Sequence, residues 1–91
     1  MSTRDERIVA TIFALLDARA ASSTICPSDA ARALAADEAT WRALMPEVRR
    51  VAAALAAAGT LRVTQHGKHV DALAARGPIR LARPLNPGRS A

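Results

Sequence analysis

The side chains best suited to binding chemistry in this sequence are four cations. Arg49 and Arg50 are adjacent, and Lys68 and Arg76 follow in the C-terminal third. Guanidinium and ammonium groups bind phosphate oxygens, and a guanidinium can also contact a guanine edge in the major groove. The alternative for Arg49 and Arg50 is a solvated helix face or ion pairs with the acids of residues 37–47. We predict that these four residues contact the phosphates of double-stranded DNA.

Two histidines lie close to Lys68, in the stretch HGKHVD. His66 and His69 could add polar contacts to nucleic acid, and we include both in the predicted nucleic-acid-binding set. With Asp71 they could also hold a metal ion. Metal sites require three or four ligands, and the charge of Lys68 opposes a divalent ion, so we predict neither a metal nor a cofactor.

Cys26 is a candidate nucleophile. It precedes Pro27, which suits the first position of a helix, and the dipole at a helix N-terminus stabilises a thiolate. A cysteine hydrolase also requires a general base and an oxyanion site, and the sequence places neither near Cys26. We predict that Cys26 is mostly buried and inert and that the protein is not an enzyme. A single cysteine also excludes an internal disulfide, which favours the cytoplasm.

Trp41 has two interpretations. In a chain with so many alanines, its ring is suited to cover alanine surface in or near the core, with its indole N–H hydrogen-bonded. The alternative is a hot spot for a protein partner, formed by Trp41 together with Arg42.

The charge of the chain is concentrated in its last third. The net charge is +5, and residues 59–91 hold six cations against Asp71 alone, which accounts for the whole surplus. A basic segment joined to a neutral body is typical of phosphate binding. The alternative cause is compositional, because a single lysine among 13 basic residues, with abundant alanine, is also the result of GC-rich coding.

The length of 91 residues suits one domain, which we predict at 1–84. The chain is 51% hydrophobic but only 2% aromatic, so its core must be aliphatic and alanine-dense. The tail at 85–91 contains proline, glycine and small polar residues, and we predict that it is disordered. No apolar run is long enough to span a membrane, and the charged N-terminus does not resemble a secretory signal.

The elements that must position these side chains begin with two helices. Thr3 and Glu6 fit a capping box, and the apolar spacing behind them predicts a helix over 4–20. A very short strand is predicted at 24–25. Pro27 predicts the start of a second helix that ends near residue 36, with Cys26 at its cap.

A third helix is predicted at 46–58, with Gly59 as its C-cap. Because Pro46 disfavours helical geometry at the preceding residue, we predict a break there after a short helix that begins near residue 38. The alternative is one continuous, kinked helix over 38–58. Alanines at positions 53, 54 and 57 would face outward and offer no hydrogen bonds, so phosphate contact is favoured over base reading.

After Gly59 the apolar pattern changes to alternation. TLRVTQ predicts a strand with Leu61 and Val63 inward, and Arg62 and Thr64 outward. HGKH predicts a turn. PIRLAR predicts the returning strand, with Ile79 and Leu81 inward and Arg80 and Arg83 outside or partly outside. Residues 66–78 would form the wing. The sequence therefore predicts an α+β winged helix-turn-helix, with three main helices followed by a β-hairpin wing.

Four stretches, TICPSDAARAL, WRALMPEVRRVA, VTQHGK and GPIRLARP, carry a family resemblance. Together they resemble a bacterial family of short stand-alone winged-helix proteins, a domain of unknown function, over roughly residues 5–84. The resemblance implies a winged-helix fold and a bacterial origin, and it implies no activity.

Two functions are compatible with this pattern. The first is weak, mainly electrostatic binding of DNA in the bacterial cytoplasm, with a regulatory role as one use of it. The alternative is a protein-interaction module on the same scaffold, with a homodimer as one form. Neither involves a membrane.

Overall fold

The computed structural model describes residues 2–84, and the tail predicted to be disordered at 85–91 lies outside them. Within this range the chain is α+β, as predicted, with three helices and four strands. The helices are α1 (Thr3–Asp17), α2 (Pro27–Leu34) and α3 (Glu38–Ala57). The strands are β1 (Thr24–Ile25), β2 (Arg62–Gln65), β3 (Lys68–His69) and β4 (Arg80–Ala82).

The N-cap of α1 lies one residue before the predicted N-cap. Ser2 has extended backbone geometry, and its Oγ accepts a hydrogen bond from the Asp5 backbone N–H at 3.1 Å. Ser2 is therefore the N-cap, and the predicted capping box of Thr3 with Glu6 is wrong. The helix ends at Asp17, three residues earlier than predicted.

The start of α2 agrees with the prediction. Cys26 caps the helix, Pro27 opens it, and the Cys26 backbone N–H donates to Asp29 Oδ2 at 2.9 Å. The helix ends at Leu34 because Ala35 adopts an extended conformation, with φ −150° and ψ 129°. This early end lets Asp37 cap the next helix.

α3 continues through Pro46, so the predicted break is wrong and the continuous alternative is correct. Asp37 Oδ2 accepts from the Thr40 backbone N–H at 3.0 Å and fixes the start of the helix. Pro46 removes one intrahelical hydrogen bond, but it is exposed, where water can satisfy the Arg42 carbonyl. Arg49 and Arg50 consequently lie in the middle of a 20-residue helix and not at its N-terminal end.

The strands form one antiparallel sheet in the order β1-β4-β2-β3. Leu81 pairs with both Ile25 and Val63, and all three side chains are buried on the face that packs on the helices. Thr64 was predicted to face outward, yet it is only 5% exposed. Thr64 lies on an inner strand, on the face of the sheet that points away from the helices. Its cross-strand partners Arg80 and His69 flank it on that same face.

A two-residue turn joins β2 to β3. His66 and Gly67 both have positive φ, 53° and 81°, as the type I′ turn of a tight hairpin requires. The predicted turn is therefore present, but it connects β2 to the short strand β3 and not to the returning strand β4. Residues 70–79 then run without regular strand structure until β4 begins.

Alanine brings the three helices close together. Ala30 and Ala31 of α2 and Ala52 of α3 are fully buried, beside Ile8 and Ile12 of α1. Small side chains at a helix contact leave no room for added atoms, because the interior is close-packed. Among the helices of residues 2–84, none has the length and apolar character needed to cross a membrane.

We expect Ala52→Leu to destabilise the protein by about 1–3 kcal/mol, because the extra methylenes must displace neighbouring helices. Ala54→Leu is the matched control, since Ala54 lies on the exposed side of the same helix. Urea unfolding followed by far-ultraviolet circular dichroism measures both free energies of unfolding. Equal stabilities for the two variants would contradict the close alanine contact.

Candidate nucleic-acid interface

The guanidinium of Arg49 binds the irregular segment that precedes β4. Its Nη1 donates to the carbonyl oxygens of Ala72 at 3.3 Å and Ala75 at 3.0 Å, and its Nη2 donates to that of Gly77 at 2.6 Å. Carbonyl groups outside regular structure need partners, and the planar fork of an arginine can satisfy several at once. Arg49 therefore anchors residues 71–78 to the middle of α3.

Gln65 holds the same segment from the sheet. Its Nε2 donates to the carbonyl oxygen of Arg76 at 2.5 Å and to that of Pro78 at 3.1 Å. Gly77 lies between these two residues with a φ of 82°, a conformation that residues other than glycine rarely adopt. The backbone of residues 76–78 is thus fixed from two directions.

This anchoring brings Lys68 and Arg76 to one edge of the molecule. Lys68 is the cross-strand partner of Gln65, so both side chains lie on the same face of the hairpin. Gln65 in turn contacts the backbone of Arg76. Both cationic side chains are exposed, and neither forms an ion pair or hydrogen bond with another residue in the described part of the chain.

The two histidines accompany Lys68 on the hairpin. His66 occupies the turn, and His69 pairs with Thr64 on the opposite face from Lys68. Both are exposed. Within residues 2–84, no three His, Cys, Asp or Glu side chains lie close enough together to hold a metal ion.

Arg50 lies apart from this edge, at the contact between α1 and α3. Its Nη2 is 2.5 Å from Asp5 Oδ1 and 2.7 Å from Glu47 Oε1. The hydrogen bond from Arg50 holds the pKa of Asp5 below its ordinary value, although the partial burial of that carboxyl opposes the shift. The same two carboxylates raise the pKa of Arg50 further above its already high value.

Arg80 was predicted only as an outward strand residue, but it joins three elements. Its Nε donates to Thr24 Oγ1 at 2.6 Å, its Nη2 to the Thr24 carbonyl at 2.9 Å, and its Nη1 to Cys26 Sγ at 2.6 Å. It thereby connects β4 to β1 and to the cap of α2. Cys26 is partly buried beneath it, more exposed than the mostly buried cysteine that we predicted.

The remaining cations of residues 59–84 also have partners. Arg62 Nε donates to the Arg83 carbonyl at 3.4 Å, and Arg83 forms an ion pair with Asp17. Lys68 and Arg76 are thus the two cations of residues 59–84 whose side chains have no polar partner among the described residues. The alternating pattern along the strands predicted that Arg62, Arg80 and Arg83 point outward or partly outward. It contained no information about the distant residues that these arginines bind.

We expect Arg49→Ala to lower the free energy of unfolding by about 2 kcal/mol, because it leaves three carbonyls without their charged donor. Arg49→Lys should give an intermediate decrease, since an ammonium group does not reproduce the planar fork. Arg7→Ala removes the same charge at an exposed site and should change stability by less than about 0.5 kcal/mol. Urea unfolding compares the three variants, and an Arg49→Ala protein as stable as Arg7→Ala would contradict the anchoring role.

Comparison with known protein families identifies the chain's relatives. Residues 5–84 match the sequence model of a family described as Protein of unknown function (DUF3253). The match extends from α1 to the end of β4 and so includes the whole candidate interface. No curated protein matches the chain. The chain belongs to the DUF3253 family of proteins of unknown function.

Proposed function

We propose that this protein is a winged-helix protein that binds double-stranded DNA through phosphate contacts from the β2–β3 hairpin and the segment 71–78. The element order supports the winged-helix assignment: a helix, a short strand and two helices precede the remaining strands. The pairing of β1 with β4, which itself pairs with β2, supports it further.

The observation that carries the DNA proposal is the shared edge of Lys68 and Arg76. Two cations without acidic partners both neighbour Gln65, since Lys68 is its cross-strand partner and the Arg76 carbonyl accepts its hydrogen bond. Such a positioned pair binds phosphate with little ordering cost, because the supporting segments are already fixed. His66, in the turn, extends this polar surface along the hairpin, whereas His69 lies on the opposite face of the hairpin from Lys68.

The acidic side chain nearest in sequence does not cancel this charge. Asp71 is the only acid of residues 59–84, and its Oδ1 accepts a hydrogen bond from the Leu73 backbone N–H at 2.9 Å. The bond turns the carboxylate toward its own segment. Because the unpaired cations Lys68 and Arg76 outnumber this one acid, residues 59–84 keep a net positive charge, which attracts a polyanion.

The contacts of α3 favour binding with little sequence preference. Arg49 and Arg50, which could have contacted DNA from a reading helix, are occupied by backbone carbonyls and carboxylates. Ala54 and Ala57 are exposed and offer no hydrogen bond to a base edge. Phosphate contacts position a protein on the duplex but carry no sequence information.

We expect the combined change Lys68→Ala and Arg76→Ala to weaken binding to every duplex alike. It should also reduce the slope of log affinity against log salt by about two, because each variant side chain can no longer neutralise a phosphate. Fluorescence anisotropy with two unrelated labelled duplexes over a salt series measures both quantities. The matched control is Arg4→Ala with Arg7→Ala, which removes the same charge from α1 and should leave the slope almost unchanged.

Two outcomes would contradict this proposal. The unaltered protein could bind no duplex even at low salt. It could also bind one duplex at least about 10³-fold more tightly than the other, a ratio typical of base reading and not of phosphate contact.

A second function, a protein-interaction module in the form of a homodimer, has one observation in its favour. Leu73 is 65% exposed, and it lines a shallow, mostly apolar groove whose other residues are Met45, Pro46, Ala72 and Arg49. A large apolar side chain beside a groove is typical of a surface that a partner covers.

We expect Leu73→Glu to convert such a homodimer to monomer, because a carboxylate cannot be buried there unpaired. Ala54→Glu is the control on the exposed side of α3. Sedimentation velocity distinguishes the forms, and a protein that is monomeric at every concentration would contradict the homodimer.

A further inference from the structure

A second cationic surface lies on the helices, formed by other residues than the edge of Lys68 and Arg76. Arg4 and Arg7 of α1, with Leu34 of α2 and Leu44 of α3, line a small pocket with a volume of about 80 Å³. This volume is several times what a single water molecule needs. The two leucines are half-buried and the two arginines are exposed. The pocket therefore combines aliphatic walls with two cations.

Trp41 extends this surface. It lies three residues before Leu44 on α3, so the two side chains are neighbours on one side of the helix. The guanidinium carbon of Arg32 lies 4.5 Å from the centroid of the Trp41 ring, and that of Arg42 lies 5.1 Å from it. We define the arginine–tryptophan face by its six residues: Arg4, Arg7, Arg32, Leu34, Trp41 and Leu44.

The charge of this face is not balanced. Arg42, just beside it, forms an ion pair with Glu38 at 2.6 Å. Arg4, Arg7 and Arg32, by contrast, form no ion pair or hydrogen bond through their side chains with any residue from 2 to 84. Glu6 is close in sequence, but two residues along a helix place it on the other side of α1 from Arg4. Two exposed cations that line the pocket, with a third against the Trp41 ring, favour an anionic ligand.

The chemistry of the face distinguishes between kinds of anionic ligand. A single-stranded nucleic acid would need a free aromatic ring on which a base can stack. The ring of Trp41 already has two guanidinium groups against it. The pocket is walled by Leu34 and Leu44, which suit an aliphatic side chain and not a phosphate.

We propose that the arginine–tryptophan face binds an acidic protein segment that carries an aliphatic side chain between its carboxylates. The aliphatic side chain enters the pocket between Leu34 and Leu44. The carboxylates pair with Arg4, Arg7 and Arg32, whose planar forks match carboxylate geometry. This surface is independent of the proposed DNA contacts, and the two can be occupied at the same time.

The test uses a synthetic peptide with one leucine between two pairs of glutamates. Trp41 is the only tryptophan in the chain, so its fluorescence reports directly on this face. We expect the peptide to change Trp41 emission in a saturable way. Replacing the peptide leucine by alanine should weaken binding about tenfold, because it removes the aliphatic contact with the pocket.

The protein variants distinguish this face from the hairpin edge. Arg4→Ala with Arg7→Ala should weaken peptide binding about tenfold, because two guanidinium partners of the peptide carboxylates are removed. Lys68→Ala with Arg76→Ala removes the same charge elsewhere and should leave peptide binding unchanged. The proposed DNA contacts come from Lys68 and Arg76, and the proposed peptide contacts come from other residues. A negative result for one proposal therefore does not contradict the other.

Three outcomes would overturn the proposal. The alanine peptide could bind as tightly as the leucine peptide, which would mean charge attraction without a pocket. The Arg4 and Arg7 variant could bind like the unaltered protein. A duplex or single-stranded oligonucleotide could displace the peptide and reproduce its effect on Trp41 emission, which would assign the face to nucleic acid.

Discussion

The arrangement of the C-terminal half depends on the three hydrogen bonds that Arg49 donates to the carbonyls of Ala72, Ala75 and Gly77. Most carbonyls of residues 71–79 have no regular helix or strand partner, and unpaired carbonyls beside a folded surface are costly. Arg49, from the middle of α3, donates to three of these carbonyls, and Gln65 donates to those of Arg76 and Pro78. Because β4 begins directly after this segment, the same contact helps to set where β4 pairs with β2 and β1.

The continuity of α3 gives its two adjacent arginines separate structural roles. Since the helix passes through Pro46, Arg49 and Arg50 lie at its centre and point in different directions. Arg49 reaches the segment before β4, while Arg50 reaches Asp5 on α1. The pair therefore connects α3 to α1 and to the segment before β4. Charges that resemble a phosphate-binding pair in sequence are used here to hold elements together.

Within residues 2–84, the cations whose side chains form no ion pair or hydrogen bond lie on two surfaces with different surroundings. Lys68 lies on the β2–β3 hairpin, and Arg76 lies on the segment that Gln65 holds beside it. Their surroundings are polar, which suits phosphate groups repeated along a duplex. Arg4, Arg7 and Arg32 surround leucine and tryptophan, which suits a carboxylate attached to an apolar body. The neighbouring uncharged side chains, more than the charges themselves, distinguish the two ligands that we propose.

Short-range signals in the sequence determined much of the architecture. Pro27 after Cys26 placed the start of α2, Gly67 in HGKH placed a turn, and alternation placed Val63 and Leu81 in the core. Each of these signals acts within one helical turn or one pair of strands, so it can be read locally. Only the tertiary structure decided that α3 passes through Pro46 and that Arg49 binds carbonyls 23 to 28 residues away. A guanidinium accepts any suitably placed oxygen as its partner, and which oxygen comes within reach depends on how the whole chain packs.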